Sequence, residues 1–249
     1  MSGWFCLILT ATLAVSLVAC SSESSFDDPQ DPVSQIPWPD FERLHYDMFD
    51  QTDTLLGTLV LETVLQDDVY QLSLMFTLNT EEGVVTDEVK VWVDAESLQP
   101  VRYARQAESS EESLTAQATY QANADGEISA SVTLDDDGEV TEETVEAGLF
   151  AFDNDSSAWL WRTVAFEQDL ELTYRSVNVV QRRSQLVQVA VRGQDTLRGP
   201  EGDVVVWQVI ATPGVEISRA WYEIDPPHRL VRWDQQPRRF ILTMIETEP

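Results

Sequence analysis

Cysteine is almost missing from this 249-residue chain: two occur, both within the first twenty positions. Everything after residue 20 is therefore without a disulfide framework, a thiol nucleophile or a cysteine-based metal site. Lysine is rarer still, with Lys90 alone, and histidine is limited to His45 and His228. Basic residues number 15 against 44 acids, a formal net charge of −29, so no basic stripe exists to neutralise a phosphate backbone and nucleic acid is not expected as a partner. Also missing are the HExxH, GxSxG, P-loop and GxGxxG patterns, which removes the recognisable metallopeptidase, α/β-hydrolase, NTPase and dinucleotide classes. The turns around Gly126 and Gly138 do not place oxygen ligands at the positions that an EF-hand calcium loop requires. Close acidic pairs such as Glu142 and Glu143 arise by chance in so acidic a chain, and only a buried pair with a raised pKa points to glycosidase chemistry. The expectation is a protein that is not an enzyme, with no cofactor and no metal; a hydrolase of unrecognised type is the alternative.

What is present begins at the N-terminus. From Trp4 to Val18 the chain is almost continuously apolar, ends Leu17-Val18-Ala19-Cys20 and turns polar at Ser21. The run is too short for a membrane span of roughly 20 apolar residues and stops at small residues, as an export segment does. LVAC resembles the bacterial lipobox, which implies a signal peptide over 1–19, cleavage between Ala19 and Cys20, and acyl chains such as palmitate on Cys20. Each buried methylene adds about 0.8 kcal/mol of membrane affinity, so two or three such chains hold a protein at the bilayer. Ser21 after the cysteine favours the periplasmic face of the outer membrane, by resemblance to the enterobacterial sorting rule. Residues 20–40, with four prolines and five acids in 21–40, read as an extended tether.

Residues 41–249 read as one antiparallel β domain. In QLSLMFTLN the residues Leu72, Leu74, Phe76 and Leu78 fall on one face, and in EISASVTLD Ile128, Ala130, Val132 and Leu134 do the same. Similar runs at 55 to 65, 87 to 94, 100 to 106, 114 to 122, 170 to 178, 183 to 192, 203 to 212, 217 to 224, 229 to 235 and 239 to 246 are separated by turn clusters such as Asp136-Asp137-Gly138. The pattern predicts a long meander. One short amphipathic helix interrupts it over Asp153–Phe166, capped by Asp155 or Ser156, with Trp159, Leu160, Thr163, Val164 and Phe166 at helical spacing. Val91–Gln106 and Ala220–Gln236 share a plan of Trp, acid, turn, Val-Arg, aromatic and Gln, a weak internal repeat of one hairpin.

Charge is distributed unevenly. After the tether's start at Cys20, the stretch up to Trp161 carries 32 acids and 4 basic groups, whereas the remainder carries 12 acids and 11 arginines. Residues 106 to 161 contain 14 acids and no Lys or Arg. Such a face suits solvation in salt, as in a halophile, where the Debye length falls to about 3 Å at 1 M. A docking face for a basic envelope protein is the other reading.

Between Asp155 and Trp233 the chain carries, in order, the helix SSAWLWRTVAF containing Arg162, the pattern V-x-G-x-[DE] at Val191, Gly193 and Asp195, the Pro200-x-Gly202 turn and the AWYEIDPPHRLVRW hairpin. In this order they resemble the bacterial domain of unknown function numbered 3108. More distantly, the meander is similar to the LolA/LolB lipoprotein-carrier superfamily, whose half-open barrel holds acyl chains. These resemblances imply a mainly β, half-open barrel and an envelope location. The expected function is a lipid-anchored envelope protein that binds a lipid or other hydrophobic ligand in a curved sheet. Its expected lining is Trp92, Trp159, Trp161, Trp207, Trp221 and Trp233, with Arg162 or Arg232 meeting an anionic head group. The alternative is a scaffold lipoprotein with a solid core that recognises an envelope protein through its acidic face.

Overall fold

The computed structural model describes residues 28–80, 83–109 and 112–249; the apolar leader, Ala19 and Cys20 lie outside the described residues. Alternating inner and outer side chains produce fifteen strands. The first eight are β1 (Phe41–Phe49), β2 (Leu55–Gln66), β3 (Val69–Thr80), β4 (Gly83–Asp94), β5 (Pro100–Glu108), β6 (Ser113–Ala122), β7 (Ile128–Asp136) and β8 (Glu139–Gly148). A short β9 (Ala151–Asp153) leads into a helical segment, followed by β10 (Glu171–Asn178), β11 (Arg183–Gly199), β12 (Gly202–Pro213), β13 (Ser218–Glu223), β14 (Leu230–Gln235) and β15 (Arg238–Glu246). All lie in one sheet of order β8-β7-β6-β5-β4-β3-β2-β1-β15-β14-β13-β12-β11-β10-β9. The first and last strands, β1 and β15, pair in the middle of the sheet and join its two halves, and among the described strands only the β9–β10 pair is parallel.

The two ends of the sheet curl toward each other to make a nearly closed barrel. β8 lies against β10 and β11, and the seam is bridged by side chains: Arg182 Nη1 donates to Thr141 Oγ1 at 3.1 Å and its Nε lies 3.7 Å from Glu143. Curvature comes from bulges in several pairs, including those at Met48/Phe49 and Val191/Gln194. It also needs Gly57 on β2, where a Cβ would sit 1.9 Å from the Thr77 carbonyl oxygen of β3. No other residue allows the two backbones to approach so closely. At the β7–β8 turn Asp137 and Gly138 both have positive φ, 49° and 88°, the backbone that a two-residue hairpin demands.

Two long strands were hidden from hydrophobic patterning. β1 alternates cleanly, but its first inward residue is Glu42, and β8 turns only Val145 and Ala147 into the core among exposed acids. β9 is three residues long, too short to show a period.

The helical segment is shorter than expected and sits inside the barrel. A single α-helical turn, α1 (Ser157–Leu160), is flanked by 3-10 turns at Asn154–Ser156 and Trp161–Thr163. It is buried on every side from Ser156 to Val164, so it lacks the polar stripe of an amphipathic helix. Ser156 stands at the N-cap of α1, one of the two expected positions, without a side-chain capping bond; the side-chain cap is Asp153, which accepts from the backbone N–H of Asp155 at the head of the preceding 3-10 turn.

Part of the expected tether is also packed. Residues 30–40 lie across one end of the barrel, with Gln30 N–H donating to Thr173 O, Ser34 N–H to Thr163 O and Leu65 N–H to Asp40 O. Trp38 is buried there, edge-on to Tyr70. Apolar burial of Pro32 and Trp38 outweighs the extended preference of the surrounding prolines.

Candidate functional site

The barrel has two differently furnished halves. The lower half, where β2 turns into β3 and β13 into β14, is filled by the helical segment. Trp159 Nε1 donates to Thr63 Oγ1 at 2.8 Å, Tyr222 OH to Ala158 O at 2.7 Å, and Trp161 Nε1 to Tyr174 OH at 3.0 Å. Arg162 is 2% exposed and spans the space to β1, with Nη1 2.5 Å and Nη2 3.1 Å from the two carboxylate oxygens of Glu42. Its Nε donates to Pro227 O at 2.6 Å, and Arg229 adds a second cation 3.3 Å from Glu42. Burying a carboxylate is tolerable only with such complete pairing.

The upper half is not filled. Between α1 and the turns joining β3 to β4, β12 to β13 and β14 to β15 lies a cavity of about 970 Å³. One wall is apolar: Leu74, Phe76 and Leu78 of β3 and Val85 and Val89 of β4 face inward. Trp161 and Trp233 line it as well, with ring centroids 6.4 Å apart and nearly perpendicular, and Trp233 continues into Phe240 and Phe76. The opposite wall is polar, with Asn178, Gln185 and Gln235 among its residues, and Arg183 and Arg238 at the first positions of β11 and β15.

The floor carries titratable groups. Asp155 lines the cavity and accepts from Tyr103 OH at 2.9 Å. Beneath it, Asp153 is fully buried and accepts from Tyr120 OH and, at 2.8 Å, from the backbone N–H of Asp155. Desolvation, reinforced by the neighbouring Asp155 carboxylate, pushes Asp153 up to about 8. Tyr103 and Tyr120 are pushed well above the usual phenol range by the same burial. Arg105, on the inner face of β5, pairs with Asp87 of β4 at 2.6 Å. Among the described residues no group of three or more His, Cys, Asp or Glu side chains is placed to hold a metal ion.

A family profile described as a protein of unknown function, DUF3108, matches residues 43–238. The chain belongs to this family. No curated protein sequence matches it. Among solved structures, the DUF3108 chain is similar to a β-barrel-like protein of domain of unknown function DUF1849 from Brucella abortus. The TM-score is 0.58 at 14% identity, covering 86% of this chain and all of the other. That likeness shows a shared fold. Weaker matches are a candidate exported protein with a YmcC-like fold from Bacteroides fragilis, with TM-score 0.29 and 10% identity over 85% and 98% of the two chains, and a candidate lipoprotein from Parabacteroides distasonis, with TM-score 0.28 and 10% identity over 87% and 100%.

Of the eight residues that sequence nominated, the DUF3108 barrel brings only Trp161 and Trp233 to the cavity wall. Trp159 and Arg162 are locked in the plug below it, and Arg162 is neutralised by Glu42, so it is not available to a head group. Trp207, opposite Tyr222, packs half-buried against the core away from the cavity. Trp92, Trp221 and Arg232 lie on the outer face of the sheet, because they alternate with the inward Val91, Val93, Ala220, Tyr222 and Trp233, and there Trp221 is buried against Val206 and Val231. There the two repeated hairpins show the same device: Arg102 stacks over Trp92 at 3.6 Å and Arg232 over Trp221 at 4.7 Å, each cross-strand pair followed by a bulge. These four residues are structural clasps. His45 bonds to Glu246 at 2.9 Å and His228 Nδ1 donates to Glu223 O, and neither lines the cavity. Arg183 and Arg238 were missed although strand periodicity reaches both: two residues before the inward Phe240 is Arg238, and four before the inward Val187 is Arg183.

Proposed function

We propose that this protein is a lipid-anchored component of the bacterial envelope that holds a hydrophobic ligand in the upper half of its barrel. One observation carries the reading: the cavity of about 970 Å³, whose wall of Leu74, Phe76, Leu78, Val85 and Val89 stays uncovered by the helical plug. Apolar walls with a few placed polar groups and a volume of roughly 300–1,000 Å³ are typical of small-molecule sites. The export segment and LVAC sequence support anchoring at Cys20, and Ser21 supports the outer membrane's periplasmic face. Such a protein has no catalytic step to perform, and its partners are the membrane and the ligand.

Native mass spectrometry with lipid extraction tests the reading on the mature chain from Ser22 onward, which keeps every described residue, expressed in an envelope compartment. An acyl-chain species at fixed stoichiometry is the expected result. A clean apo mass, under conditions that retain lipid on a known carrier, removes the ligand and leaves the acidic scaffold reading. Anchoring is tested separately: Cys20→Ala should move the full-length protein out of palmitate-labelled membrane fractions, and retention of label would sink the assignment.

A further inference from the structure

Among the described residues ten of the fifteen Lys and Arg side chains form ion pairs; the other five are Arg102, Arg175, Arg183, Arg219 and Arg238. Arg102 is stacked on Trp92. Three of the remaining four, Arg183, Arg219 and Arg238, border the cavity, with no ion-pair partner among the described residues. All four belong to the part of the chain after Trp161, where 12 acids meet 11 arginines, and three of them gather at this one cavity. Arg183 and Arg238 moreover share the strand faces of Val187 and Phe240, so both border the barrel's mouth, where they are exposed. Between them the lining offers the amides of Asn178, Gln185 and Gln235, and across the cavity stands the apolar wall of β3 and β4.

We infer that the ligand is an anionic amphiphile whose chain lies on the β3–β4 wall and whose carboxylate or phosphate head is held at the mouth by Arg183 and Arg238, an assignment that rests on the ligand-binding reading above. The head recovers charge-assisted hydrogen bonds from two guanidinium groups, in a chain whose net charge of −29 disfavours anions over much of its surface.

The test uses the delipidated mature chain and four probes: oleate, oleyl alcohol, and the lysophosphatidylglycerol and lysophosphatidylcholine of the same chain. Affinities are read by calorimetry and by the fluorescence of Trp161 and Trp233. At least one anion should bind roughly tenfold or more tightly than its uncharged or zwitterionic counterpart. In R183Q/R238Q, checked for folding by near-UV circular dichroism, that ratio should fall close to one. Which anion shows the larger ratio distinguishes a fatty acid from a phospholipid head. Equal binding of anions and neutral counterparts overturns the clamp while leaving the cavity as a hydrophobic site. An anion preference that survives the double substitution overturns the assignment to these two arginines. Binding of none of the four overturns the ligand-binding reading itself.

Discussion

The lower and upper halves of this barrel are built from the same strands with the same inward alternation, yet one is a solid core and the other a chamber. The difference lies in ten residues, from Asn154 to Thr163, which fill the space between β1, β2, β10 and β13 and stop below the mouth. In the lower half the plug's polar side chains find dedicated partners, as Arg162 finds Glu42 and Trp159 finds Thr63. In the upper half Arg183, Arg219 and Arg238 border the cavity without an ion-pair partner among the described residues. A protein selected for stability alone gains nothing from leaving charged and apolar surface uncovered inside a barrel. The unfilled half is where binding is to be sought, and the filled half is where stability resides.

The largest separation between the halves should come from Glu42. Glu42→Ala leaves Arg162 buried without its carboxylate, and the expected loss is about 3–5 kcal/mol in a urea titration. By contrast Arg238→Ala at the mouth should change stability by less than about 0.5 kcal/mol. If the two substitutions cost the same, the division into a structural and a binding half is wrong.

Leucine truncations probe the same contrast without charge. Leu160 is 1% exposed within α1, so Leu160→Ala should cost about 2–5 kcal/mol through lost contacts and the void left behind. Leu78 on the cavity wall already borders empty space, and Leu78→Ala should cost about 1 kcal/mol or less while weakening ligand binding. Equal destabilisation would mean that the upper half is closed in solution.

Asp153, at the boundary between the halves, adds a pH dependence of defined sign. Its carboxyl is raised to about 8 in the folded protein by burial and by Asp155, against about 4 in an unfolded chain. The folded state therefore binds the proton more tightly. The stabilisation from this group is complete below pH about 4 and is lost as pH rises through about 8. Asp153→Asn keeps an acceptor oxygen for the Asp155 N–H, turns an amide N–H toward the Tyr120 oxygen and carries no titrating proton, so it should flatten the decline in stability between pH 5 and 8 that denaturant titrations reveal in the unaltered protein. An unchanged slope would place the pH dependence elsewhere.

Most of the barrel was legible from alternation, because an antiparallel sheet with one buried face repeats every second residue. The turn at Asp137-Gly138 and the similarity of the two Trp-Arg hairpins were legible too. The first strand was not, since Glu42 occupies an inward position and its justification, Arg162, is 120 residues away. Four of the six tryptophans expected at the cavity lie elsewhere, for a related reason. Tryptophan marks burial but not which buried place, and a clasp such as Trp92–Arg102 on the outer surface has the same composition as a ligand site. The chamber itself is an absence of side chains, set by where the helical segment ends, and no residue spells it out. Its arginines were nonetheless within reach, because extending the period of β11 and β15 by one or two steps places Arg183 and Arg238 inward.

The smallest effect should come from salt, and it should be confined to one part of the upper half. Asp136 of β7 lies directly across from Glu139 of β8, and Asp137, Glu142, Glu143 and Glu146 crowd the same exposed hairpin. Arg182 is the one cation that pairs there among the described residues. Like charges facing each other across a strand pair are unfavourable, and raising salt from 0.1 to 1 M shortens the screening length from about 10 Å to about 3 Å. Hydrogen exchange of β7 and β8 amides near Gly138 should therefore slow severalfold in high salt, with the amides around α1 and β1 unaffected. Uniform slowing across the barrel would attribute the effect to general salting-out, and the acidic hairpin would then hold no special place in the protein's adaptation to its surroundings.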